Sequence, residues 1–387
     1  MKNTILASAS TLALLIALPA HAQNNDSAIT QNGTANQATV GQSGSSADAT
    51  VNQLGGNNLA TVTQSGSGAR ATVTQGGTPN AEEQNRFGLA NSPYQSNGAE
   101  ATVTQASAAT ATIDQIAVDG GAARIVDATI SQNEDAGGST ASIRQRLSGS
   151  ADATIEQSGA DNDSTIKQYQ GNHSALNQQS GDGNYSNIDQ GGSNTVADVN
   201  QSGDRGRSEI FIFGNNDGVY VDQLGEDNVS TAGQYGTSNG MATIYQDGAR
   251  NNSVVSQGEQ SFANIRQEGD DGRSVVSQQF GDSASVTQAA SASGAQSTIT
   301  QGGGWFFHDN EATVTQGGTD VISNISQDGS NLTASVTQQG IGSTSGIVQT
   351  GSANTATVGQ YSDGNTSNVT QSGMGNSATV TQGTPGI

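Results

Sequence analysis

A branched aliphatic residue followed two places later by glutamine recurs along this chain at a nearly constant interval. Ile29/Gln31, Val40/Gln42, Val51/Gln53, Val62/Gln64 and Val73/Gln75 lie 11 residues apart, and the same interval returns through Gln316, Gln327, Gln338, Gln349, Gln360, Gln371 and Gln382. Between these stretches the spacing drifts between about 10 and 13, through Gln145, Gln157, Gln168, Gln178, Gln190, Gln201, Gln223, Gln234, Gln246, Gln257, Gln267, Gln278, Gln288 and Gln301. Between Gln201 and Gln223 the interval doubles, and Ile212 occupies the glutamine slot. Self-similarity at a fixed short period is the mark of a repeat architecture.

Within the unit from Gln53 to Gln64, Asn58, Ala60, Val62 and Gln64 alternate with Leu59, Thr61 and Thr63. Alternation of period two places the first set on one face of an extended strand and the second on the other. Threonine and valine favour strands, and the glycine two places after the glutamine marks a turn. Helix is disfavoured, because glycine interrupts every unit. The expected fold is all-β, a β-solenoid of about 30 strand-turn units with two strands per coil and cross-β stacking. Fifteen such coils at roughly 4.8 Å each span about 70 Å.

Composition alone points the other way. With 32% hydrophobic residues, 4% aromatics and 52 glycines, little apolar surface is available to offset the entropy of ordering, which is the signature of disorder. The periodicity overrides that reading, provided the inward amides supply what the aliphatics do not. Stacked glutamines and asparagines bond amide to amide in cross-β assemblies. The residues expected to form such a ladder are Gln31, Asn36, Gln42, Gln53, Asn58 and Gln64 at one end, and Gln349, Asn354, Gln360, Gln371, Asn376 and Gln382 at the other.

The first 22 residues combine Lys2, an apolar run from Leu12 to Leu18, Pro19 and the small-x-small triplet Ala20-His21-Ala22. This reads as a secretory signal peptide cleaved after Ala22, leaving residues 23–387 as a single solenoid. No later stretch is long and apolar enough for a membrane helix, so no membrane span is expected in the mature chain. The absence of cysteine rules out a disulfide scaffold. A net charge of −22 disfavours nucleic acid as a partner. The pattern breaks near 76–100, where Pro79 and Pro93 cannot join a ladder. It breaks again near 116–128, 133–138 and 302–310, the last holding Trp305-Phe306-Phe307. All four stretches are expected to loop out from coil corners.

Candidate chemistry is sparse. His173 and His308 have no nucleophile or ligand context and are expected as solvated loop residues, so no catalytic, metal or cofactor site is assigned and the chain is read as non-enzymatic. Acidic turns such as Asp161-Asn162-Asp163 and Asp270-Asp271-Gly272 lack the nine-residue period of calcium β-rolls and are read as charges that slow premature aggregation.

The unit Gln-x-Gly-x-x-Asn-x-Ala-x-x-x-Gln stands complete from Gln31, Gln53, Gln349 and Gln371, and it resembles the repeat of the curlins. The resemblance implies a structural subunit secreted through a curli-type outer-membrane channel and self-assembled at the cell surface, with a nucleator subunit, into amyloid fibres of a biofilm matrix. It covers nearly all of the mature chain, though the glycine-rich segment that precedes the repeats in familiar curlins is missing here. The competing class is a monomeric secreted β-solenoid, an adhesin or a polysaccharide-binding protein. Such proteins cap their ends, whereas here the repeat runs to Gln382.

Overall fold

The computed structural model describes residues 24–78, 84, 95–117, 126–147, 149–303 and 308–384, together with the backbone of residues 4–8. The signal-peptide segment 1–22, apart from Thr4–Ser8, lies outside these residues, as do most of the 76–100 stretch, residues 118–125 and Trp305-Phe306-Phe307. The chain divides into two compact units, Met1–Thr195 and Val196–Ile387.

Each unit is a parallel two-sheet β-solenoid. In the first unit, Asp26–Thr34 pairs with Asp48–Gly56, then Arg70–Gln75, Thr110–Ala117, Thr140–Leu147, Asp163–Tyr169 and Tyr185–Ser193. The strands between them in sequence form the facing sheet, from Gln37–Gln42 through Leu59–Gln64, Ala99–Gln105, Val126–Gln132 and Ala151–Ser158 to His173–Ser180. The second unit repeats the plan. One sheet runs from Arg207–Asn215 to Thr366–Met374, and the other from Thr195–Gln201 to Ser377–Gln382.

Registers are set by residue type. Val51 lies on Val73 and Gln53 on Gln75, a shift of one coil, so like stacks on like. A slip of one residue would turn every inward group outward, which fixes the register strongly. Where the pattern breaks, the pairing passes over the extra residues. Gln75 lies directly on Gln115, and Ser96–Asn97 rejoins the sheet beside Gly55 and Gly56. The 133–138 stretch folds into two successive tight turns, closed by Ala136 N–H to Asn133 O at 3.2 Å and Ser139 N–H to Ala136 O at 3.1 Å.

Alternation holds in the strands as built. In Leu59–Gln64 the alanine, valine and glutamine are buried, and the residues between them face outward. The apolar interior is thin, lined by alanine, valine and isoleucine such as Ala60, Val62, Ile143 and Val336.

The corners depend on backbone proximity. Gly351 has φ +104°, and a Cβ there would lie 2.0 Å from the carbonyl oxygen of Gly373 one coil on. Only glycine fits such an approach. Two residues later Ala353 adopts φ +53°, the left-handed step that swings the chain into the next strand.

Replacing Gly351 with alanine therefore adds both a clash and strain. It is expected to cost about 2–4 kcal/mol in urea unfolding. Gly137→Ala, where nothing lies within 4 Å of the new Cβ, is expected to stay within about 0.5 kcal/mol of the wild type. Equal midpoints for the two variants would show that corner packing does not limit stability.

Candidate functional site

The buried amides form the candidate functional site of this chain. Gln338 accepts at Oε1 from Gln316 Nε2 (3.0 Å), donates Nε2 to Gln360 Oε1 (2.9 Å), and donates across the interior to the carbonyl of Ile322 (2.9 Å). One side chain thus binds the coil before it, the coil after it and the opposite sheet. A buried amide left unmade would cost about 1–3 kcal/mol, so full satisfaction is what permits glutamine in the core.

The same arrangement runs through both units. In the first, Gln31, Gln53, Gln75, Gln115, Gln145, Gln168 and Gln190 form one ladder. Gln42, Gln64, Gln105, Gln132, Gln157 and Gln179 form the other. In the second unit, one ladder leads from Gln234 to Gln371 and the other from Gln201 to Gln382. Every rung points the same way, from Nε2 of the earlier glutamine to Oε1 of the later. The direction is not free, because the second Nε2 proton meets a backbone carbonyl, which only accepts.

Asparagines cap the corners. Asn354 Nδ2 donates to Gly373 O (3.1 Å) and Thr350 O (3.0 Å), while its Oδ1 accepts from Asn376 N (2.8 Å) and Asn376 Nδ2 (3.0 Å). Asn36 does the same for Gly55 and Asn58. Gln53, Asn58, Gln64, Gln349, Asn354 and Gln360 are all but fully buried. At the terminal coils burial falls away, and Gln42 and Gln382 are half-buried and Asn376 exposed.

Four positions depart from the sequence pattern or complete it. Gln179, not Gln178, lies on Gln157 and accepts its Nε2 at 2.9 Å, while Gln178 faces outward and donates to Glu156. The strand starts inward at His173 and stays in phase, so Leu176 faces out and Asn177 takes the aliphatic slot. His173 and His308 are both buried rather than solvated. His173 stands where the inward alternation begins, with Nδ1 2.7 Å from Thr195 Oγ1 and Nε2 3.1 Å from Tyr169 O, and burial pushes its pKa down. His308 lies edge-on to Phe280, with ring centroids 6.2 Å apart. Ile212 pairs with Gln234 and carries no amide, so Gln234 Oε1 is buried without a donor.

Charges cluster outside the ladder. At one corner of the second unit, Arg205, Asp227, Arg250 and Asp271 follow one another coil by coil with alternating sign. Arg205 Nε lies 2.7 Å from Asp227 and Arg250 Nε 2.6 Å from Asp271. These hydrogen bonds hold both aspartates below the usual carboxylate range. The spacing of the four residues was the available sequence signal. On the strands of the first unit Glu100, Asp127 and Asp152 stack in register. Burial first, then Glu100 and Asp152, pushes Asp127 up. Burial likewise raises Asp163, Asp198, Asp222 and Asp282.

A raised folded-state pKa contributes stability that is fully present below the unfolded value and lost as pH rises through the folded value. The raised carboxylates are partly buried and the lowered ones exposed, so the former dominate. The urea midpoint is therefore expected to rise as pH falls from 7 towards about 4, and Asp127→Asn to flatten that rise. A midpoint that falls over the same range would overturn this assignment. At Ile212, glutamine would supply the donor that Gln234 lacks. Ile212→Gln is expected within about 1 kcal/mol of the wild type, against a loss of about 2–5 kcal/mol for Ile212→Ala. If both variants lose equally, the ladder contributes nothing at this coil.

Compared with curated proteins, the chain has no match. The curlin associated repeat matches residues 22–55, 47–77, 343–373 and 351–383. These are the segments whose glutamine, glycine and asparagine positions form complete ladder and corner units. Over these two stretches the chain is similar to the curlin associated repeat.

Proposed function

We propose that this chain is a structural subunit of a secreted, extracellular curli-like amyloid fibre that supports adhesion and biofilm formation, growing by head-to-tail stacking of copies. The observation that carries this reading is the match between two edges. The coil 26–42 and the coil 366–382 have the same length, the same strand bounds within the coil, and no insertion.

Laid in register, Gln371 meets Gln31, Gly373 meets Gly33, Asn376 meets Asn36 and Gln382 meets Gln42. The chemistry of the edges also fits. Gln371 and Gln382 each accept one rung and donate to a backbone carbonyl, and neither has an onward rung among the described residues. Gln31 and Gln42 each donate a rung and accept none there. Donors at one edge thus face acceptors at the other. The inward residues Ile29 and Val380 are only half-buried, so stacking would also remove apolar surface from water.

Removal of residues 1–22 on export would free the strand Asp26–Thr34, on which Thr4–Ser8 otherwise pairs. Export through a curli-type outer-membrane channel and initiation on a nucleator belong to the same proposal, supported by the likeness to the curlin associated repeat.

Mature chain is expected to form filaments with spacings near 4.7 Å and about 10 Å. The triple variant Gln371→Ala, Asn376→Ala, Gln382→Ala removes about 1 kcal/mol per amide bond at the growing edge, and its seeded elongation should fall roughly a hundredfold. The interior triple Gln257→Ala, Gln267→Ala, Gln278→Ala should lose folding stability but elongate faster than the edge variant. Equal elongation of both on wild-type seeds would refute growth by these edges.

A further inference from the structure

The outward face of most strands carries threonine and serine, as in Thr313, Thr315, Ser335 and Thr337. The coils between residues 196 and 275 break this rule on both faces. Of the nine large hydrophobic side chains exposed among the described residues, five fall there, Val196, Tyr220, Tyr235, Met241 and Phe262, whereas Leu59, Ile341, Val348 and Met374 are scattered over the other coils.

On the sheet that begins at Arg207–Asn215, Phe213 stacks on Tyr235 with ring centroids 6.1 Å apart and planes 23° apart. Tyr235 is 55% exposed. Its ring folds over Gly233, where a Cβ would come within 2.6 Å of it, so the ring lies along the sheet instead of standing up from it. On the facing sheet, Met241 and Phe262 are neighbours in register, 44% and 49% exposed. Tyr220 lies over Gly218 in the same manner. Each face therefore carries a flat apolar patch, the shape that sheet-on-sheet packing at about 10 Å requires.

Their charges differ. On the Tyr235 face, Arg207 pairs with Glu209, leaving Arg273 as a cation with no acid in ion-pair range among the described residues. On the Phe262 face, Arg266 pairs with Glu268, leaving Asp198, Asp222 and Asp247 in excess. One face is apolar with surplus positive charge, the other apolar with surplus negative charge.

We infer that these two faces bind each other between copies of this chain, the Tyr235 face of one copy packing on the Phe262 face of a second. The contact is heterologous and its two faces lie on opposite sheets of the solenoid, so successive copies join side by side in an open array and not as a closed pair. In fibres it would bundle filaments laterally, a step separate from growth at the edges. That readout rests on the fibre reading, but the contact itself does not.

The test uses mature chain carrying Tyr235→Ser or Met241→Ser with Phe262→Ser, all at exposed positions, with folding checked by circular dichroism. Filaments per bundle, counted by negative-stain microscopy, should fall at least threefold in either variant, while seeded elongation stays within twofold of wild type. Arg273→Glu and Asp222→Arg should each weaken bundling, and an equal mixture of the two single variants should recover it. Ser335→Ala with Thr337→Ala should leave bundles unchanged. Unchanged bundling in the face variants overturns the inference, as does a parallel loss of elongation. If wild-type chain forms no filaments, the fibre reading fails, and sedimentation equilibrium then decides the contact. Concentration-dependent association lost in the face variants upholds it, and a strictly monomeric wild type overturns it. Retention of wild type but not variants on insoluble glucan, with self-association intact, would assign the faces to polysaccharide and also overturn it.

Discussion

A glutamine amide that is satisfied in three directions at once is the interaction on which the rest of this protein depends. The interior is too thin to be held by aliphatic burial alone, since strands such as Leu59–Gln64 and Thr333–Gln338 contribute only an alanine and one branched residue, and Asn252–Gln257 has serine in the alanine position. The glutamine adds a rung along the axis and a bond to the opposite sheet, as Gln349 does through Gln371 Oε1 (2.8 Å) and Thr333 O (3.0 Å). Hydrogen-bond chains in a low dielectric strengthen one another, so the ladder is worth more than its rungs counted singly. The converse is that each rung must be complete. Gln234, whose Oε1 faces Ile212, marks the cost of one omission.

Because each amide nitrogen is anchored to a carbonyl, the ladder has a direction. A directional ladder has unlike edges, one rich in donors and the other in acceptors, and such edges are complementary in only one relative orientation. Symmetric pairing of two like edges would bring donor against donor. This discrimination against like edges requires no extra residues, since it follows from the same bonds that hold the coil.

Much of this was legible in the sequence. The interval between glutamines gave the coil, and the alternation around Asn58, Ala60, Val62 and Gln64 gave the inward face, because both are backbone periodicities that local chemistry cannot hide. Ile212 could be placed in a glutamine slot by counting alone. What counting misjudged was phase within a strand. Gln178 and Gln179 adjoin, and only the inward start at His173 decides between them. The histidines were misread for a related reason, since a polar residue beside a turn looks solvated until the strand's first inward position is known. Nothing in a one-dimensional pattern shows that a glutamine reaches across to the strand facing it. The alternating column of Arg205, Asp227, Arg250 and Asp271 was present as a spacing, but exposed ion pairs carry little stability and leave a weak trace.

The division of constraint between inside and outside has a further consequence. Inward positions are fixed by stacking, as like must lie on like, and corner glycines are fixed by approach of one coil to the next. Outward positions answer to neither demand. Threonine suffices there for strand formation, so any departure from it needs another cause. On the coils from 196 to 275 the departure occurs on both faces together, with tyrosine rings laid over glycines that a plain strand would not use. Glycine weakens an exposed strand, and covering it with an aromatic ring restores the sheet while creating a flat apolar surface. Beside the proposed axial growth at the coil edges, a pair of flat, oppositely charged faces would add contact in the perpendicular direction.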